Sequence, residues 1–72
     1  MYIGPELKVI MRDFGISVKE LSEMTGIARS QISQWRNDRQ PIMWPGFMKL
    51  CKCFGMDKTA FFAAGRGERN NG

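Results

Sequence analysis

Arg29, Ser30, Ser33, Gln34 and Asn37 are the densest group of side chains in this 72-residue chain able to recognise another molecule. On a helical wheel they share one face, and Ala28, Ile32 and Trp35 fall on the opposite one. The outer face carries no acidic residue and no large apolar one. An arginine offers paired donors that match the acceptors of guanine, and a glutamine offers a donor and an acceptor that match adenine. The chemistry implied is hydrogen-bonded reading of base edges in a major groove. Catalysis is poorly served: there is no histidine, no phosphate loop, no metal-binding cluster and no carboxylate pair at a suitable spacing. The lone serines and lysines belong to solvated helix faces. We therefore expect a protein that is not an enzyme and uses neither cofactor nor metal.

Such a face needs rigid support. Residues 17 to 37 read as two short helices joined by a tight turn. Ser17, with Glu20 three residues on, forms a capping box that starts the first helix. Val18, Leu21 and Met24 recur at helical spacing as one apolar stripe. Ser22 is small where the second helix must come close. Gly26 ends the first helix in the left-handed conformation that only glycine adopts without steric cost. Ile27 plugs the gap between the helices. Trp35 could stack on single-stranded bases, but its place beside Ile32 favours core packing.

Leu21, Ser22, Gly26, Ile27, Ile32, Ser33 and Trp35, in this register, resemble the helix-turn-helix of the phage repressor and Cro family, the xenobiotic-response-element type. The similarity continues through residues 50 to 62, L-C-K-C-F-G-M-D-K-T-A-F-F, and covers roughly residues 7 to 64. It implies a lambda-repressor-like, all-α domain whose second motif helix enters the major groove. Carried over by position, Arg29, Ser30, Ser33 and Gln34 would face bases. Ser17, Lys19, Arg36, Asn37, Arg39 and Gln40 would face phosphates, helped by the helix N-terminus near Ser17.

Four positions depart from the family pattern. Val18 stands where a DNA-contacting glutamine is common, which shifts weight to Lys19. Ala28 stands where a serine or threonine usually caps the recognition helix. Arg36 replaces a glutamate, which either strengthens phosphate contact or leaves a family salt bridge unformed. Asp38 replaces a glycine. The spacing from Pro41 to the next helix is also about one residue longer than in the commonest family form.

The remaining elements are set by punctuation and periodicity. Residues 1 to 4 are a lead-in, and Pro5 opens a first helix with Leu7, Ile10, Met11 and Phe14 on one stripe. Gly15 stops it. Lys8, Arg12 and Asp13 lie off the stripe and read as a solvated face. Residues 36 to 41 form a polar loop closed by Pro41. A fourth helix beginning at Trp44 or Pro45 carries Phe47, Leu50, Cys51 and Phe54 inward and ends at Gly55. Asp57 caps a fifth helix over residues 58 to 64, with Phe61 and Phe62 apolar. The expected fold is all-α: five short helices in one domain, residues 1–64, with a flexible tail at 65–72.

Net charge is +4 and unevenly spread. Residues 1 to 25 carry −1, residues 26 to 54 carry +4 and residues 55 to 72 carry +1. The excess therefore sits on the recognition helix and the residues just after it, as a phosphate backbone requires. Cys51 and Cys53 point about 200° apart on a helix, so they neither bridge nor share a metal. Cys51 reads as a reduced thiol filling the core. No run approaches a membrane span, and no signal peptide is visible.

The function expected is sequence-specific binding of double-stranded DNA by a cytoplasmic, nucleoid-associated transcriptional regulator of phage or bacterial type. A repressor binding a near-palindromic operator as a homodimer fits best, with Ile42, Met43, Trp44 and Phe62 as candidate dimer contacts. The alternative is a protein-interaction module: an antitoxin-like chain with a protein partner, or the DNA-binding part of a larger regulator.

Overall fold

Helices α1 (Gly4–Phe14), α2 (Val18–Thr25), α3 (Arg29–Arg36), α4 (Trp44–Phe54) and α5 (Lys58–Gly65) make up the computed structural model, which describes residues 1–67. The fold is all-α, with no strand among the described residues. None of the helices is long and apolar enough to cross a membrane.

Each boundary has a local cause. Pro5 and Pro45 occupy the first turns of α1 and α4, where a missing N–H costs nothing. The Asp57 carboxylate accepts the Ala60 N–H at 2.7 Å and caps α5. At the start of α2, Ser17 Oγ accepts the Glu20 N–H and the Glu20 carboxylate accepts the Ser17 N–H, both at 3.1 Å. This reciprocal pair is the capping box expected from sequence. The bond from the Ser17 backbone, and then the one from its side chain, hold the Glu20 carboxyl below the usual glutamate range.

The core draws on every helix: Leu7, Ile10 and Met11 from α1, Leu21 from α2, Ile32 and Trp35 from α3, Phe47, Leu50, Cys51 and Phe54 from α4, and Phe61 from α5. No polar or charged side chain is buried with them among the described residues. Phe47 and Phe61 meet edge-on at 5.0 Å at its centre. Burial raises the Cys51 thiol above its ordinary range, and Asp57 adds to the effect, so Cys51 behaves as a small apolar filler.

Several side chains lie elsewhere than the periodicity implied. Met24 is 57% exposed, so the apolar stripe of α2 is reduced to Leu21 with a half-buried Val18. Ala28 is exposed as the residue before α3 rather than part of its inner face. Phe14 is about half exposed and reaches the core by an edge contact with Phe54. Ile3, within the lead-in, and Ile42, within the loop, are each 1% exposed and belong to the core. Full burial removes Ile42 from the candidate dimer contacts. Gly65, read as the first residue of the tail, instead closes α5 and packs against Glu6 of α1. The rest of the expected tail, residues 68–72, lies outside the described residues.

Ile3 and Ile42 are buried because the start of the chain is clamped to the loop after α3. The Ile42 N–H donates to the Met1 carbonyl at 2.7 Å. The Gly4 N–H donates to Asp38 Oδ1 at 2.8 Å. Ile3 offers no capping side chain, so Asp38 caps α1 from across the fold. Asp38 sits at φ 56°, in the left-handed region that a glycine would occupy without cost. The substitution for the family's glycine is thereby explained: the carboxylate offsets the backbone cost by satisfying a helix N–H.

Two outcomes are expected in urea unfolding and its pH dependence. Asp38→Ala keeps the left-handed backbone and loses the cap, so it lowers stability by about 1–2 kcal/mol, whereas Asp38→Asn, which retains an acceptor and tolerates that backbone, stays near wild type. Because the Glu20 carboxyl is depressed in the fold, its contribution is complete above the unfolded pKa and is lost as pH falls toward the folded one. Glu20→Gln keeps a capping-box side chain that does not titrate, so it flattens this acid limb. An unchanged acid limb in that variant would remove the capping box from the account.

Candidate nucleic-acid interface

The α2–turn–α3 unit is held from inside. Gly26, at φ 76°, ends α2, and its N–H donates to the Ser22 carbonyl. The Ser22 hydroxyl donates to the Ile27 carbonyl, and the Thr25 hydroxyl donates to the Leu21 carbonyl at 2.7 Å. Thr25 Oγ1 also accepts the Ile27 N–H at 3.2 Å. The two hydroxyls thus carry the polar groups of the turn, a role for Ser22 beyond its small size and one for Thr25 that periodicity does not signal. Ile27 is half-buried against the core, as a plug between helices must be.

Beyond the turn, α3 begins at Arg29 after Ala28, which supplies no side-chain cap. The Gln31 and Ile32 N–H groups donate to the Ala28 carbonyl, so those of Arg29 and Ser30 remain open to an outside acceptor. Ile32, at 0% exposure, and Trp35, at 7%, anchor the inner face. Gly46 of α4 lets that helix close on Trp35, because a Cβ there would stand 2.9 Å from the ring. This burial settles Trp35 as a packing residue.

Around the outer face the expected side chains differ in availability. Arg29 and Ser30 are exposed at the start of α3, and the Arg29 side chain forms no ion pair or hydrogen bond with any described residue. Gln34 is half-buried. Ser33 and Asn37 are tied to one another: Asn37 Nδ2 donates to the Ser33 carbonyl at 2.9 Å and reaches Ser33 Oγ at 3.4 Å. Gln40 accepts a hydrogen bond from Gln31 Nε2 at 3.1 Å, which brings Gln31 to the edge of the site. Gln31 was not among the expected residues; its place between the two faces gives no clear sign of either role. Arg39 is exposed, with its backbone N–H bonded to the Gln34 carbonyl.

Ser17 and Lys19 are exposed at the start of α2. Arg36, at the end of α3, is half-buried, and its Nε is buried with no hydrogen-bond partner. No carboxylate among the described residues pairs with it. The arrangement therefore assembles one rigid polar face at the start of α3, two free basic groups at Arg29 and Arg39, and a third cation, Arg36, at its margin.

No curated protein and no solved structure matched the chain. A family model, described as the Cro/C1-type HTH DNA-binding domain, matches residues 6–58. That span takes in all of α2, the turn and α3, and runs from the first turn of α1 to the start of α5. The chain belongs to the Cro/C1-type helix-turn-helix DNA-binding domain family.

Proposed function

We propose that this protein is a sequence-specific double-stranded DNA-binding transcriptional regulator, acting as a repressor on a near-palindromic operator as a homodimer. The observation that carries the reading is the outer face of α3, exposed at Arg29 and Ser30, free of acidic groups and held rigid by Ile32 and Trp35. With α3 in the major groove, Arg29 pairs with a guanine and Gln34 with an adenine, while Ser30 and Ser33 give shorter contacts. Ser17, Lys19, Arg36, Asn37, Arg39 and Gln40 hold the phosphates on either side. Ser33 and Asn37 exchange their mutual bond for contacts to the duplex.

One small domain makes few base contacts, and two copies double them. Met43 at 72% exposure, Trp44 at 55% and Met48 at 44% lie together at the start of α4, outside the core. Apolar side chains of this kind form the centre of a protein contact. They support pairing of two copies, with half-sites about 34 Å apart. Repression results from occupancy: a bound dimer obstructs polymerase without needing an effector domain.

Selection from a randomised duplex pool, followed by affinity measurement over a salt series, tests this reading. The expected result is a motif of two inverted half-sites. Arg29→Ala then costs about 1–3 kcal/mol of discrimination at one base pair of each half-site. Arg39→Ala weakens every sequence alike and lowers the salt slope by about 1. Trp44→Glu removes cooperative filling of the two half-sites while leaving a single half-site bound. Recovery of no motif, with binding lost at physiological salt, would refute the regulator reading.

A further inference from the structure

A groove of about 300 Å³, where the end of α2 meets the second half of α4, is lined by Met24, Thr25, Lys49, Lys52 and Cys53. Met24 is exposed beside it, and Cys53 is half-buried. Burial raises the Cys53 thiol above its ordinary range, so it stays neutral. The Thr25 hydroxyl is engaged by the Leu21 carbonyl and the Ile27 N–H. What the groove offers is therefore an apolar strip and two ammonium groups. Lys49 and Lys52 are exposed and pair with no carboxylate among the described residues. Helix α4 itself carries no acidic residue.

The complement of this surface is an apolar side chain flanked by two anions. Lys49 and Lys52 lie one helical turn apart, about 5–6 Å between Cβ atoms, so the matching carboxylates also stand one turn apart on a helix. A phosphate backbone fits poorly. The groove meets the last turn of α2 and the second half of α4, so no helix N-terminus opens into it, and the nearby helix ends carry carbonyls. A second copy of the chain also fits poorly. Asp13 pairs with Arg12, while Glu20, Asp38 and Asp57 accept backbone N–H groups. The remaining acids among the described residues, Glu6 and Glu23, lie on different helices.

We propose that the groove between the end of α2 and the second half of α4 is a docking site for an acidic amphipathic helix of a partner protein. Its apolar side chain seats on Met24 and Cys53, between two carboxylates that pair with Lys49 and Lys52. None of the lining residues belongs to α3 or to the groups assigned to bases and phosphates. The site therefore goes beyond the DNA-binding reading and does not depend on it.

The probe is a labelled helical peptide with glutamates one turn apart and a leucine between them on the same face. Anisotropy compares it with a peptide of the same composition whose leucine lies on the opposite face. The first should bind about tenfold more tightly, the effect of seating one leucine. Lys49→Glu and Lys52→Glu should each weaken it about tenfold. The variant with both changes should instead bind a counterpart peptide with lysines in place of the glutamates, an exchange that general attraction to a basic protein would not produce. Met24→Glu should also lose the peptide, while Arg29→Ala and Arg39→Ala keep it. All of these positions are exposed, and circular dichroism confirms folding. Equal affinity for the two peptides, or binding lost in Arg29→Ala and Arg39→Ala but kept in Lys49→Glu, overturns the site. A duplex salt slope lowered by about 1 in each of Lys49→Ala and Lys52→Ala makes the occupant nucleic acid and overturns the proposal. A wild-type dimer that Met24→Glu dissociates in sedimentation makes the occupant a second copy, with the same consequence.

Discussion

An eight-residue helix cannot hold itself in water, because nucleation costs more than so few hydrogen bonds return. The recognition helix α3 exists because Ile32 and Trp35 are buried under α1, α2 and α4. Those two side chains fix both its presence and its orientation. Arg29 and Ser30 can be presented to a partner only because Ile32 and Trp35 point the other way. Gly46, which lets α4 close against the Trp35 ring, belongs to the same constraint. So does Asp38, which ties the exit of α3 to the start of α1 and holds the two helices together from the polar side.

The departures from the family pattern take on a common sense once the helices are packed. Asp38 trades a backbone cost for a cap on α1. Arg36 replaces a carboxylate and leaves its Nε buried and unpaired, on a residue that lines a cleft together with Lys8 and Arg12 of α1. Ala28 leaves the first N–H groups of α3 uncapped. The last two sacrifice stability of the free protein at points that border the outer face of α3. The core, with no buried polar side chain among the described residues, carries the stability that permits this.

Much of the architecture was legible in the sequence because its causes are local. The capping box at Ser17 and Glu20, the prolines at the starts of α1 and α4 and the stop at Gly26 depend on residues within a turn or two of each other. The stripes of α1 and α4, the all-α class and the split of α3 into inner and outer faces derive from a 3.6-residue period. What periodicity could not supply was the partner of each face. Met24 fits the stripe of α2, yet no other helix covers it, so it is exposed; Ile3 and Ile42 lie outside any periodic run, yet the clamp between Met1 and Ile42 buries them. Gly65 looked like the start of a tail because its contact, Glu6, is at the other end of the chain. The capping of α1 by Asp38 and the cleft of Lys8, Arg12 and Arg36 also join residues far apart in sequence. Local spacing determined the helices and the chemistry of the exposed face. Only the tertiary structure decided which side chains meet, because burial and charge clustering depend on distances that the chain order does not contain.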